Sequence, residues 1–392
     1  MASGAVSVGE GAVSMAEAGA DRRRIIRIMP VEFGYGPLGK ALHVARAIRS
    51  LVGDLVRIEL VASANFRSPV DGGLFDASMS SIAAAARADA VVTMMNVKGI
   101  AAAAARGEKV YVVDSLAWLW DEPLPIRDLI HAYFYQDLPV LPVPVRNIAG
   151  MPNATAIAAI GRLPADVRNA SQTSTESRLD GGTVVSLSGI EAPGSRLGWG
   201  ALAYPPYILE ALEHLVESGR LDATRLALFG NTTVLRHFAG SRLSPALREG
   251  SQGEFGTVAR SAGSVVCPPG LTTIVECLRS GVSLKLLPPQ NYSQVKLMKA
   301  FSGPAGIPAM SWGGAIEPWL QQATLPEPVG AEIVRGVISN ARLANRHADP
   351  DALMALLEQE SPVLDSSAVD SLIGPGDGAL AVAERVLTDL LG

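Results

Sequence analysis

PPGLTTIVECLRSGVSLKLLPPQNYSQ, residues 268–294, decides how this chain is read. The apolar run 264–266 just ahead of it has strand character. A Pro-Pro-Gly turn follows, and a short helix opens near Thr272. A Ser-Gly break ends that helix, a second apolar strand covers 284–287, and a polar loop then carries Gln290, Asn291 and Gln294. Strand, glycine turn and helix start form an anion site, because unpaired N–H groups and the positive end of the helix dipole converge there. Thr272 and Glu276 stand four apart and share one helix face. A carboxylate one turn inside such a helix can accept two hydrogen bonds from a ribose diol. The plainer alternative is a glycine-capped turn with a solvated Glu276; the run of polar groups through Gln294 favours a nucleotide-sugar site.

Outward from this stretch, apolar runs alternate with helical periodicity, the mark of α/β architecture. In the first half the pattern predicts strands near 25–30, 56–62, 90–94, 109–113 and 132–135, with helices at 39–52 and 80–87. A polar segment, PADVRNASQTSTESRLDGG (164–182), interrupts it and reads as a linker. Strands then recur near 183–188, 225–229, 264–266 and 284–287, and helices near 206–218, 272–279 and 293–301. The tail reads as helices at 329–345, 349–358 and 379–391. The expectation is two facing Rossmann-like α/β domains with a ligand cleft between them, since sites lie beyond the carboxyl ends of parallel strands. Its divisions are a disordered tail (1–22), an acceptor-binding domain (23–165), a linker (166–182), a nucleotide-sugar-binding domain (183–325) and C-terminal helices packing across both (326–392).

Composition narrows the classes. A chain of 392 residues is long enough for two cores. The formal charge of −5 and the lack of any basic patch with interleaved aromatics argue against a nucleic-acid partner. Arg22, Arg23, Arg24 and Arg27 form the one basic run and read as a solvated lead-in to the first strand. Cys267 and Cys277 have no metal spacing and fit a reducing cytoplasm. The first twenty residues lack a basic start and an apolar core, so they read as a tail and not a signal peptide. No apolar run is long enough for a membrane span.

A second glycine motif is FGYGPLGKALHVARAI (33–48), in which Gly34, Gly36 and Gly39 match GxGxxG. Pro37 removes an N–H from the loop meant to cradle pyrophosphate. Glu59, twenty positions after Gly39, lies inside the second strand and not at its end, where a dinucleotide ribose would sit. A dinucleotide-dependent oxidoreductase is therefore the weaker use of these glycines. A third group is VVDSLAWLWDEP (112–123) with HAYFYQDLP (131–139). Asp114 and Ser115 end a strand, and a partly desolvated Asp114 is a plausible general base, with Glu32 and Asp137 as rivals. Trp118 and Trp120 read either as packing or as a flat face for a ring. Tyr133, Phe134 and Tyr135 alternate across a strand, which predicts one exposed face. His131, His214, His237 and His347 are scattered without metal spacing.

The spacing from Gly270 through Glu276 and Gly281 to the Gln-bearing loop resembles the donor signature of the GT-B glycosyltransferases. Among these are the transferases that add N-acetylglucosamine to lipid-linked muramyl peptide and the nucleotide-diphosphate-sugar transferases of secondary metabolism. The resemblance implies that Gly270, Leu271, Thr272 and Thr273 hold diphosphate, Glu276 holds ribose, and Gln290 and Gln294 read the sugar. It places Gly36 and Gly39 near the donor diphosphate, and Ser188 and Gly189 of LSGIEAPGS (187–195) with backbone N–H groups on it. Ser293 stands where the family often has Asp, and Ser283 where it often has Pro. Lys40 stands where many members place a catalytic histidine, with His43 one turn later. Lysine at its ordinary pKa neutralises an anion but is no base. The combination FGYGPLGK, PGLTT and LPPQNYSQ also looks like the cytosylglucuronate synthases of nucleoside-antibiotic pathways. Those join cytosine or hydroxymethylcytosine to glucuronate from UDP-glucuronic acid, and there Lys40 or a nearby Arg would pair with the sugar carboxylate. The expectation is a metal-independent, cytoplasmic enzyme without a cofactor, acting on a UDP-sugar and a small acceptor, with a homodimer possible in principle. A nucleotide-sugar epimerase or hydrolase, and a non-catalytic nucleotide-sugar binder, remain open alternatives.

Overall fold

The computed structural model describes residues 23–32, 34–63, 65–67, 70–120, 122, 126–163, 179–187, 200–231, 235–312, 325–345 and 347–392. The first sheet holds β1 (Arg24–Pro30), β2 (Val56–Val61), β3 (Ala77–Met79), β4 (Ala90–Met94), β5 (Lys109–Asp114), β6 (Ala132–Gln136) and β7 (Ala154–Ile157). Helices α1 (Gly36–Val52), α2 (Val97–Ala105) and the short α3 (Val145–Ile148) connect them. All seven strands run parallel in the order β3-β2-β1-β4-β5-β6-β7. β1 and β4 are buried over almost every position, as strands covered on both faces must be.

The second sheet holds β8 (Thr183–Ser186), β9 (Leu226–Phe229), β10 (Leu247–Arg248), β11 (Ser264–Cys267) and β12 (Leu284–Leu286), parallel in the order β10-β9-β8-β11-β12. Its helices are α4 (Gly200–Glu217), α5 (Gln252–Ser261), α6 (Leu271–Arg279) and α7 (Tyr292–Ala305). Then come α8 (Glu327–Asn345), α9 (Pro350–Glu358), α10 (Ser366–Ile373) and α11 (Gly378–Leu391). Helices α8 and α9 pack on α4, α10 packs on α6 and α7, and α11 returns to the first half against α1. The fold is thus two parallel-sheet α/β units. They share an apolar core in which Trp118, Leu138 and Leu163 from the first meet Ile274, Leu278 and Tyr292 from the second.

Both sheets have the same reversal of strand order. The chain works outward β1-β2-β3 on one side of the first sheet and then restarts at β4 on the other side of β1. The second sheet repeats this with β8-β9-β10 and then β11. Neighbouring connections diverge at such a switch point and leave a crevice beyond the carboxyl ends of the strands. Helix α1 starts at the first crevice, and α6 starts at the second.

Three expectations need correction. Residues 80–87 form turns and not a helix. Their carbonyls serve other partners: Ala86 O accepts from Arg27 at 2.7 Å and Ala85 O from Arg106 at 2.7 Å, while Ala88 N donates to Glu108 at 2.8 Å. The connection from β3 to β4 thus carries no helix, and the alanine-rich α2, capped by Asn96, lies in the next one, between β4 and β5. Arg27 is no solvated lead-in, being fully buried between Glu59, at 2.8 Å, and Glu108, at 3.0 Å. The predicted open face of 133–135 does not exist, because Tyr133 packs into the core on one side of the sheet and Phe134 into the core on the other. The bulk of the 164–182 linker lies outside the described residues. The residues of it that are described join the second half, where Leu179 N donates to Ser261 Oγ at 2.9 Å.

Candidate functional site

Most helices of the fold begin with a side-chain cap: Asn96, Ser251, Asn291, Asp349, Asp365 and Asp377 each accept a backbone N–H of their own helix. Helices α1 and α6 do not. Their N-cap residues are Tyr35 and Gly270, and neither makes a side-chain cap bond. Their first-turn N–H groups are left for something outside the helix, and each end carries the positive pole of its dipole. Glycine lets the two ends meet. A Cβ on Gly39 would stand 3.1 Å from Thr272 Cγ2, and one on Gly36 would stand 3.6 Å from Thr272 Oγ1.

Lys40 closes this junction. It is 3 % exposed, and its Nζ donates to Thr272 Oγ1 at 2.7 Å. Thr272 Oγ1 in turn donates to Gly36 O at 3.2 Å. Burial pushes the Lys40 ammonium down to about 8, against an upward pull from Glu276 and Asp114. One turn on, His43 Nε2 lies 2.8 Å from Glu276 Oε1, and Gln252 Nε2 donates to the same oxygen at 2.6 Å. Among the described residues the other Glu276 oxygen accepts no hydrogen bond. Glu276 itself is 3 % exposed. Lys40, His43 and Arg46 recur every three residues on one face of α1. Arg46 continues the seam, donating to Gln252 Oε1 at 3.0 Å and pairing with Asp71, which accepts Gly253 N at 3.0 Å.

The structure therefore brings together Gly36, Gly39, Lys40, Gly270, Leu271, Thr272 and Glu276, with Thr273 half-buried beside them. It adds Gln252, which the sequence reading missed. The signal was present: Ser251 and Glu254 have the three-residue spacing of a capping box, and Ser251 Oγ accepts Glu254 N at 3.3 Å. Gln290 lies in the loop after β12, and Gln294, expected in that loop, lies in the first turn of α7, where Asn291 caps its N–H. Gln294 Oε1 accepts Gln290 N at 2.6 Å, and Gln290 Nε2 donates to Leu187 O at 3.1 Å, which holds this loop against the end of β8. Ser188 and Gly189 lie outside the described residues.

The candidate bases separate. Asp114 is not partly desolvated but fully buried, which raises its pKa. Its oxygens accept from Tyr133 Oη at 2.7 Å, Trp120 Nε1 at 3.2 Å and Leu116 N at 2.7 Å. Such a carboxylate orders the end of β5 and is closed off from solvent by its burial. Trp118 is likewise packing, with Nε1 donating to Ser115 O at 2.9 Å. Asp137 is exposed and accepts Val143 N at 3.0 Å in its own turn. Glu32 is exposed just past β1 and accepts Ser63 N. Glu59, the acid a dinucleotide would need, is spent on Arg27. Among the described residues no cluster of His, Cys, Asp and Glu could hold a metal ion, and no helix is long and apolar enough to cross a membrane.

No family model matches the chain, and no curated protein does. Solved structures do. The spinosyn rhamnosyltransferase SpnG complexed with thymidine diphosphate is 10 % identical with a TM-score of 0.48, covering 93 % of this chain and 99 % of that one. A kitacinnamycin glycotransferase is 14 % identical with a TM-score of 0.47, over 94 % and 99 %. Medicago truncatula UGT71G1 complexed with UDP-glucose is 10 % identical with a TM-score of 0.46, over 94 % and 99 %. The fold stands on the two strand orders themselves, and the chemistry on the residues between them.

Proposed function

We propose that this chain is a GT-B glycosyltransferase that moves a sugar from a UDP-linked donor to a small acceptor. One observation carries the reading: two uncapped helix N-termini, one from each half, meet around a buried lysine beside a carboxylate with a free oxygen. A diphosphate supplies the acceptors that the first turns of α1 and α6 lack, and Lys40 adds a charge-assisted donor. The free oxygen of Glu276 then faces the ribose, while His43 and Gln252 hold the other oxygen and fix the carboxylate's orientation. Ser188 and Gly189 complete the diphosphate cradle in this reading, and Gln290 and Gln294 contact the sugar.

The chemistry is attack of the acceptor on the anomeric carbon, with the nucleoside diphosphate leaving. Charge builds on the leaving diphosphate, and donors fixed in advance stabilise it without reorganising. Glu32, at the open end of β1, is the proton acceptor to test first, since Asp114 is enclosed. The donor proposed is UDP-glucuronate and the acceptor cytosine or hydroxymethylcytosine. Lys40 in place of a histidine base suits a weakly acidic ring N–H and an acidic sugar.

The test is a panel of UDP-sugars incubated with and without candidate acceptors, followed by UDP release. Release from UDP-glucuronate only when cytosine is present would establish the narrow reading. Release without any acceptor would instead indicate a hydrolase. UDP binding without turnover of any sugar would leave a nucleotide-sugar binder.

A further inference from the structure

A cavity of about 410 Å³ lies behind the donor helix, at the opposite end of α6 from Thr272. Such a volume falls in the range of small-molecule sites, roughly 300–1,000 Å³. It opens where the chain passes between its halves in both directions. The outgoing segment supplies Arg162, and the returning turn before α11 supplies Gly376 and Asp377. Arg279, at the last turn of α6, ties these passages together: its Nη1 donates to Ala159 O at 2.7 Å, and Ala159 O also accepts Gly378 N at 3.4 Å.

The charges lining the cavity balance but do not touch. Arg162 and Arg279 lie with Asp370 and Asp377, yet among the described residues no ion pair joins an arginine to an aspartate here. Arg279 Nη2 is buried with no hydrogen-bond partner. Arg162 has no recorded partner among the described residues. Asp377 caps α11 through Ala379 N at 2.9 Å, and the Asp370 carboxylate, in α10, accepts no hydrogen bond among the described residues, its carbonyl alone accepting Gly374 N at 2.9 Å. Desolvation lowers the Arg279 pKa, and Asp377 and Asp370 oppose that while Arg162 adds to it. A buried donor left without an acceptor costs free energy that a ligand oxygen recovers. The walls between the charges are apolar, formed by Leu278, Leu364 and Val369.

We infer that this cavity binds a small zwitterion of the amino-acid type, its carboxylate on Arg162 and Arg279 and its ammonium towards Asp370 and Asp377. A simple anion would meet the two aspartates, and a simple cation the two arginines. A molecule with both charges and a short apolar body complements all three features. The cavity shares α6 with the proposed donor site, so its occupant braces the crossing between the halves and bears on their closure.

The test is calorimetry of the full chain with free L-leucine, L-valine and L-glutamine, against isovalerate and isopentylamine as single-charge controls. UDP is kept saturating, so that binding at the donor site is excluded. At least one amino acid is expected to bind, with each control about tenfold weaker or worse, and Arg162→Gln is expected to weaken binding by about tenfold. Absence of amino-acid binding, equal binding of isovalerate, or an unchanged affinity in the folded Arg162→Gln protein each overturns the proposal. Arg162 is exposed and outside the proposed transferase machinery, so UDP release by that variant serves as its folding control. If UDP does not bind the wild type, the same titration is run without it. The donor-site reading then fails on its own, and the cavity is still judged by Arg162→Gln.

Discussion

Two clusters of buried charge sit on the first sheet and its helix α1, and they are built on opposite principles. Arg27 lies within β1 with two carboxylates and a carbonyl as partners, at 2.7–3.1 Å. Every one of its guanidinium nitrogens is used, and all partners come from the same half. Lys40, at the start of α1, has one hydrogen-bonding partner among the described residues, a hydroxyl from the other half. It stands between two helix ends that add positive potential, and the carboxylates that attract it, Glu276 and Asp114, make no hydrogen bond to it among the described residues. A buried cation with its own carboxylates is a staple. A buried cation with a hydroxyl, facing uncapped helices, is what the proposed anion site requires. Burial and charge alone do not distinguish the two; the identity of the partners does.

Removing Arg27 would break the comparison from the structural side. Arg27→Met leaves Glu59 with Arg57 and Glu108 with Arg106 as their remaining, partly exposed cations, at a cost of about 3 kcal/mol in folding stability, the low end for a broken buried pair. Denaturant unfolding measures it, and the UDP affinity of the folded fraction should be unchanged. A large loss of UDP affinity with intact stability would mean that Arg27 belongs to the site.

Glu276→Ala tests the other cluster. Two ribose hydroxyls bonded to a carboxylate predict a fall of about 100-fold in UDP affinity, from about 1.5 kcal/mol or more per charged hydrogen bond. Full affinity in this variant would remove the ribose assignment.

Lys40→Met is expected to weaken UDP binding by about 10-fold or more, with little loss of stability. The pH dependence sharpens this. Lys40 in the free protein titrates at about 8, and a bound diphosphate favours its charged form. UDP affinity is then flat below about pH 8 and falls above it, by up to about tenfold per pH unit, and the decline is absent in Lys40→Met. The stability effect runs the other way. Between about 8 and the ordinary lysine value the unfolded chain binds the extra proton, so stability rises with pH across that window, by up to about 1.4 kcal/mol per unit. The difference between wild-type and Lys40→Met unfolding curves isolates this slope.

His43→Ala is the smallest change. His43 touches Glu276 and not the proposed ligand, so a loss of about three- to tenfold in UDP affinity is expected, near 1 kcal/mol. His43→Gln, which retains a donor, should recover part of it. A loss as large as that of Glu276→Ala would make His43 a direct ligand contact.

Much of this fold was legible in the sequence because long apolar strands and 3.6-residue periodicity leave a local record. Strands β1, β2, β4 and β5 fall within a residue or so of expectation, as do the ends of α6 and α11. The 80–87 segment did not, because its carbonyls are claimed by Arg27 and Arg106 from other elements, and no local pattern announces that. The three-residue strand β3 and the two-residue β10 are too short to show a period.

The candidate site divides the same way. The glycine turn at Gly270, the Thr272–Glu276 face and the Gly36–Gly39 loop follow from sequence alone, because each depends on residue types at fixed short spacings. That the two loops address each other does not follow from sequence. Lys40 and Thr272 are 232 positions apart, and only the reversal of strand order in both sheets brings their helices nose to nose. The tertiary structure also decided which acids are spent. Asp114 and Arg27 look like a base and a surface charge along the chain, and their partners, gathered from separate strands, make both of them interior fixtures.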